Sequence, residues 1–248
     1  MWVRIPPIAY LIKILYGLCK PVFDTSSLIE LRYEYAPQKK SINSLRTHTM
    51  TEKPAGTEKI LEIKWHGRGG QGAMTAAKIL AQAAFLEGYR GVTVAPSFGA
   101  ERRGAPVSAS ARISSTPIII ISPVENPNVV VVLDHTLLKH NSVTSGLVKG
   151  GWLVVNSWRA PGELGFNGSF NIATADATRI CRELGLSIAG LTIPNTAILG
   201  ALVRATGIVS MASVEKVMRE IFHGNILDTN LSAVAKTYEI TRIESNSI

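Results

Sequence analysis

A chain of 248 residues, 46% of them hydrophobic and only 6% aromatic, is long enough to bury a full core. Its abundance of small apolar side chains suits parallel strands covered by helices. The formal net charge of +8 divides evenly between residues 1–49 and 50–248, and no basic stripe with interleaved aromatics occurs, which argues against a nucleic-acid partner. Cys19 and Cys181 lie outside any CxxC pattern and the five histidines are scattered, so the chain offers no basis for a disulfide framework, a metal site or iron–sulfur ligation.

Residues 1–49 do not match the remainder. Ile5 to Leu18 is apolar, but Pro6, Pro7 and Lys13 interrupt it, and it is shorter than the roughly 18–20 residues of a membrane span. Lys20, Pro21, Val22, Phe23 and Asp24 follow where a small-residue cleavage site would be needed for a secretory signal. Met50 then opens a polar lead, residues 50–59, directly before the first strand. The expectation is a cytoplasmic protein without a membrane segment whose translation begins at Met50, residues 1–49 being an upstream artefact. An amphipathic extension is the competing reading.

From Ile60 the pattern becomes regular. Leu61, Ile63 and Trp65 alternate with Glu62, Lys64 and His66, which predicts a half-buried strand, and a glycine-rich turn follows. Met74, Ala77, Leu80, Ala81, Ala84 and Phe85 recur at helical spacing, so a helix is expected from Ala73 to about Glu87. A second strand starts at Gly91, and a charged loop, Pro96 to Pro106, leads to a third strand, Val107 to Ile113, with one wet face. Ile118–Ile121, Val129–Leu133 and Trp152–Val155 are short apolar runs. A short strand near Phe170–Ile172 precedes a helix from about Thr174 to Leu184, stopped by Gly185. The last third reads as helical. One helix opens at Pro194 and Asn195 and closes at Gly207, a second spans Val214–Phe222 with Ser213 as its cap, and a third spans Leu231–Tyr238. Residues 244–248 read as a frayed tail. The order of elements specifies an α/β fold over residues 60–243: a three-layer, Rossmann-like domain with a mixed, mostly parallel sheet and a helical C-terminal part.

Within this frame one motif carries chemistry. Gly67, Gly69 and Gly72 satisfy GxGxxG between a strand and a helix, and Gly70 adds a fourth residue without a Cβ. Such a turn brings several backbone N–H groups to an anion, and the helix behind it points its positive end at the same place. An NAD site would place an acid at the end of the second strand, about 20 residues on, and none is there. Arg102 and Arg103 leave an NADP-linked oxidoreductase as an alternative, and an empty structural turn is a third reading. Asp134 and His135 follow an apolar strand without a GxSxG nucleophile nearby, and Asp134 reads as a helix cap. Glu101, Arg102 and Arg103, held between Gly99 and Gly104 and bracketed by Pro96 and Pro106, suit anion recognition or a subunit contact.

The two segments WHGRGGQGAMTAAKILA and APSFGAERRGAPVSASARIS together resemble the gamma subunit of the 2-oxoacid:ferredoxin oxidoreductases, the pyruvate member most of all. The resemblance covers roughly Ile60 to Ile240. Relatives acting on 2-oxoglutarate tend to carry EMRGG where this chain has Glu101-Arg-Arg-Gly-Ala-Pro106, which favours pyruvate and excludes branched-chain 2-oxoacids less well. It implies a subunit of a hetero-oligomer with alpha, beta and delta partners and with ferredoxin as electron acceptor. Thiamine diphosphate, magnesium and the iron–sulfur clusters would then reside in the partner subunits. Coenzyme A would contact Gly67, Arg68, Gly69, Gly70, Gln71 and Gly72, with Lys78 as a more distant cation. The loop with Ser97, Glu101, Arg102 and Arg103 would face the alpha–beta active site or an interface. No catalytic residue is assigned to this chain.

Overall fold

In the computed structural model the described residues are 60–96, 104–119, 122–166, 170–188 and 190–245, all within one unit, Lys53–Ile248. Alternation at the start of this unit builds strand β1 (Leu61–Arg68), which feeds helix α1 (Ala73–Leu86) through the glycine turn. Strands β2 (Gly91–Pro96) and β3 (Pro106–Ser114) form an antiparallel pair, and β3 lies against β1 with Trp65 opposite Ala109 and Glu62 opposite Arg112. Strand β4 (Val129–Val132) is four consecutive valines, all buried, as a strand covered on both faces should read. After it come β5 (Trp152–Asn156) and β6 (Asn171–Ala175), each parallel to its predecessor. Helix α2 (Ala177–Glu183), a short hairpin of β7 (Ser187–Ile188) and β8 (Leu191–Thr192), helices α3 (Ala197–Thr206), α4 (Met211–Ile221) and α5 (Gly224–Ile240), and β9 (Arg242–Glu244) complete the order.

The main sheet runs β2-β3-β1-β4-β5-β6-β9, and β3 and β9 alone oppose the other five strands. On one face, Ile63, Trp65, Val129, Val131, Val154 and Ala173 pack with buried residues of all five α-helices. On the other, Val130, Val132, Leu153, Val155 and Ile172 are covered by Leu137 and Val143 of two 3₁₀ turns (His135–Lys139 and Asn141–Val143), with Leu164 of a third (Pro161–Leu164) beside them. The mixed three-layer fold is therefore as expected, with 3₁₀ turns forming its second covering layer. Helices α3 and α5 approach so closely that a Cβ on Gly200 would lie 2.1 Å from the Val234 carbonyl oxygen.

Several boundaries differ from expectation, each for a local reason. Strand β6 continues to Ala175, past the predicted start of the following helix, and α2 begins at Ala177 because the Asp176 side chain accepts from the Arg179 N–H. The cap of α4 is Ser210, whose hydroxyl accepts from the N–H of Ser213, the residue expected in that role. Helix α5 starts seven residues before Leu231 because Asn230, polar in sequence, is buried and bonded to Thr196 and to the Ile226 carbonyl. The start of the expected frayed tail, Glu244, is the end of β9, paired with β6. In the run Ile118–Ile121, described only to residue 119, Ile119 is 89% exposed.

Candidate functional site

The chain leaves β1 towards the helical face, since α1 belongs to that core, and leaves β4 towards the opposite face, where Leu137 is buried. Adjacent parallel strands whose connections diverge create a crevice outside their carboxyl ends, the usual ligand position in open α/β sheets. The glycine turn, Gly67 to Gly72, lies at that crevice.

Its geometry is set by backbone bonds. Gly69 exchanges two hydrogen bonds across the turn, donating to the Ala105 carbonyl at 2.8 Å and accepting from the Gly104 N–H at 3.1 Å. The Arg68 N–H is taken by the Gln71 side-chain oxygen at 2.7 Å, and the Gln71 N–H by the Arg68 carbonyl at 2.9 Å. What remains is a row of donors. Among the described residues, the N–H groups of Gly70, Gly72, Ala73, Met74 and Thr75 have no acceptor, and the helix has neither a capping side chain nor an acid in its first turn. A 14-residue helix with an uncapped N-terminus presents these donors and a partial positive charge together. Gly72, the cap position, is left-handed with φ of 76°, and a Cβ there would sit 2.3 Å from Asn195 Nδ2, so the turn is packed against the start of α3. Leu191 of β8 stands over Gly70, 4.0 Å from the place of a Cβ.

Arg68 is near the crevice but already engaged. Its Nε donates to Asp134 at 2.6 Å, one terminal nitrogen to the Thr136 hydroxyl at 2.9 Å and the other to the Gly104 carbonyl at 3.2 Å. The expected ligand cation is thus a brace joining the turn to the loops after β2 and β4. Asp134 completes it, and also caps the 3₁₀ turn behind it by accepting from the Thr136 N–H. Burial by itself would raise the Asp134 carboxyl; the hydrogen bonds from Thr136 and Arg68 outweigh it and hold the group below the ordinary carboxylate value. Lys78 is exposed on the second turn of α1, six residues from Gly72 and hence about 9 Å along the axis. The structure does not bring it to the donors. Ser97, Glu101, Arg102 and Arg103 lie outside the described residues.

His66 precedes the turn, with burial pushing its pKa down to about 4 and the charge of Lys64 adding to the effect; its Nε2 is buried without a hydrogen-bond partner. A neutral imidazole in this wall is consistent with the half-buried position read from alternation. Sequence reasoning missed the engagement of Arg68 and the approach of Leu191, because both depend on loops distant in the chain. Asn195 was legible as a residue at a helix start, though not as the neighbour of Gly72.

An open α/β sheet with an uncapped glycine turn at its switch point defines a domain of the Rossmann-like kind. By sequence, the chain belongs to the pyruvate ferredoxin/flavodoxin oxidoreductase family, which it matches over residues 62–240. The common gamma subunit of the pyruvate/ketoisovalerate oxidoreductases of Thermococcus litoralis is 47% identical over 185 residues, covering 73% of this chain and 97% of that protein. The pyruvate synthase subunit PorC of Methanocaldococcus jannaschii is 42% identical over 179 residues, with 72% and 96% covered. The crystal structure of the pyruvate oxidoreductase subunit PORC of Thermotoga maritima superposes with a TM-score of 0.66 at 40% identity, covering 75% of this chain and 99% of that one. A 2-oxoglutarate:ferredoxin oxidoreductase from Magnetococcus marinus, solved with 2-oxoglutarate, coenzyme A and succinyl-CoA bound, shares the fold (TM-score 0.58, 20% identity); 73% of this chain aligns with 31% of that longer one. No helix among the described residues is long and apolar enough to cross a membrane.

Proposed function

We propose that this chain is the gamma subunit of a cytoplasmic, multi-subunit pyruvate:ferredoxin oxidoreductase and that its glycine turn holds phosphate groups of coenzyme A. The reaction is the oxidative decarboxylation of pyruvate to acetyl-CoA and CO2, or its reverse. The observation that carries the site is the row of five N–H groups without acceptors at the β1–β4 switch point. Relatives named as gamma subunits or PorC match along nearly their whole lengths, which supports the subunit role.

In this reading the residues present fit a diphosphate better than a carboxylate-binding arginine clamp, because the donors are backbone groups and Arg68 is bound internally. Thiamine diphosphate, magnesium and the iron–sulfur clusters belong to alpha, beta and delta partners, and ferredoxin accepts the electrons. What this chain contributes is binding and orientation. The turn anchors an anionic end, and Asn195 and Leu191 flank it.

Isothermal titration of coenzyme A and NADPH into the assembled complex and into this chain tests the reading, with Gly69→Asp as the altered form. Binding of coenzyme A to the complex, lost in Gly69→Asp, and no response to NADPH are expected. NADPH binding to the chain by itself, or pyruvate oxidation by it without partners, would overturn the proposal. Intact-mass measurement of the native protein is expected to place its N-terminus at or just after Met50, and a peptide from within Leu28 to Arg46 would contradict that.

A further inference from the structure

We propose that Thr196 and Asn230 form a buried register lock between helices α3 and α5, and that this lock positions the glycine turn and so sets how tightly coenzyme A is held. The inference rests on the glycine-turn reading above and gives that site a positioning pair that lies outside it.

Helices α3 and α5 meet at three successive turns. Thr196 faces Asn230, Gly200 faces Val234 and Arg204 faces Tyr238, so each step of four residues along one helix is matched by four along the other. The two helices are therefore parallel, and the contacts share one face of each. The middle contact is a backbone approach at Gly200, which has no side chain to set an alignment. The last is an exposed one, with Arg204 Nη1 3.5 Å from the Tyr238 hydroxyl. At the first turn the bonding is directional and buried. The Thr196 hydroxyl donates to Asn230 Oδ1 at 2.6 Å, Asn230 Nδ2 donates to the Ile226 carbonyl at 2.8 Å, and the two residues are 1% and 6% exposed. A single polar pair buried in a helix seam fixes its register, because any other alignment strands a donor or an acceptor away from water.

The Thr196 hydroxyl is diverted from local use to make this bond. A threonine at the cap position of a helix ordinarily has extended backbone angles and accepts from the helix's own N–H groups. Thr196 holds that position in α3 with φ of −74° and ψ of −43°, and its side chain caps nothing. The lock is also adjacent to the site. Asn195 Oδ1 accepts the Thr196 N–H at 2.8 Å, which leaves Asn195 Nδ2 towards Gly72, the cap of α1. A slip of α3 along α5 therefore moves Asn195 against the turn and displaces the row of N–H donors behind it. Hydrogen bonds weaken steeply with distance and angle, so a shift well short of a helical turn is enough to loosen the grip on an anion.

The test uses the assembled complex, with calorimetric titration of coenzyme A and the KM values for coenzyme A and pyruvate. The variants are Thr196→Val, Thr196→Ser, Thr196→Val combined with Asn230→Leu, and Gly69→Asp. Thr196→Val is expected to lower the melting temperature and to weaken coenzyme A about tenfold, the equivalent of one hydrogen bond to a charged group, with the KM for pyruvate unchanged. Thr196→Ser keeps the hydroxyl and should bind coenzyme A as the unaltered chain does. The double variant replaces both partners by apolar groups and should regain the melting temperature, yet its coenzyme A affinity should stay low, because an apolar pair sets no register. A purely structural role predicts the opposite, recovery of stability and affinity together. The proposal is overturned by that recovery, by a KM for pyruvate that rises as much as that for coenzyme A, or by less than about a threefold loss of coenzyme A affinity in Thr196→Val. If Gly69→Asp abolishes coenzyme A binding while Thr196→Val leaves it intact, the lock alone fails; coenzyme A binding that survives Gly69→Asp defeats the glycine-turn reading and this proposal with it.

Discussion

Adding one methyl group at Gly72 probes the candidate site directly. Two costs combine. Alanine in the left-handed conformation at φ of 76° costs about 1–2 kcal/mol. Its Cβ would also fall 2.3 Å from Nδ2 and 2.9 Å from Cγ of Asn195, forcing that amide from its rotamer at a further cost of about 1 kcal/mol. Gly72→Ala is therefore expected to destabilise the chain by about 2–3 kcal/mol, read as a shift of the urea midpoint by circular dichroism. The two contributions separate in an Asn195→Ala background, where only the 3.1 Å contact with the Asn195 Cβ remains. There the same substitution should cost about 1–2 kcal/mol, the backbone share. Coenzyme A affinity of the complex should fall in both backgrounds, because the new methyl group crowds the first turn of α1. Equal cost in the two backgrounds, or a total below about 0.5 kcal/mol, would refute the packing of Gly72 against Asn195.

Acid should expose His66. Its pKa is about 4 in the folded chain and 6.5 unfolded, so below pH 6.5 the unfolded state takes up a proton that the native state refuses. Stability accordingly falls as pH drops from 6.5 towards 4, by up to about 3 kcal/mol, and His66→Gln should lack this share while matching the slope above pH 6.5. An imidazole resonance of His66 titrating near 6.5 would contradict it. Asp134→Asn should cost about 1–3 kcal/mol at neutral pH by weakening its charge-assisted bond to Arg68. Because the Asp134 pKa is lowered on folding, its contribution is complete at neutral pH and is lost as pH falls through the folded value; the asparagine form should lose that acid branch. Gly200→Ala sets a helix-propensity gain of about 1 kcal/mol against a carbonyl oxygen 2.1 Å from the new Cβ, and the contact should win, with a net loss of about 2 kcal/mol in urea denaturation.

The fold was legible where burial imposes a period. Leu61 to Trp65 announce a strand by alternation, and the four valines of β4 by a continuous apolar run. Helix α5 was half-read, because Asn225, Thr229 and Asn230 interrupt the apolar pattern while their side chains or carbonyls are satisfied within the helix or by Thr196. The β7–β8 hairpin and β9 are two or three residues long, too short for a period to show. For the site, the glycines were evident because spacing alone encodes a tight turn. The fate of Arg68 was not, since its carboxylate partner is 66 residues away and only sheet order makes β1 and β4 neighbours.

The engagement of Arg68 changes how the glycine turn can respond to its surroundings. With the Arg68 guanidinium bound to Asp134, Thr136 and Gly104, what the turn presents to an anion in the proposed reading is a set of peptide dipoles that neither titrate nor change rotamer. Such a grip is insensitive to pH across the neutral range and owes little to mobile side-chain charge, so moderate salt screens it less than it would a lysine or arginine clamp. The same three bonds hold the turn in shape before any ligand arrives, so little ordering entropy is lost on binding. On the proposed coenzyme A reading, the phosphate anchor is in place before the complex assembles.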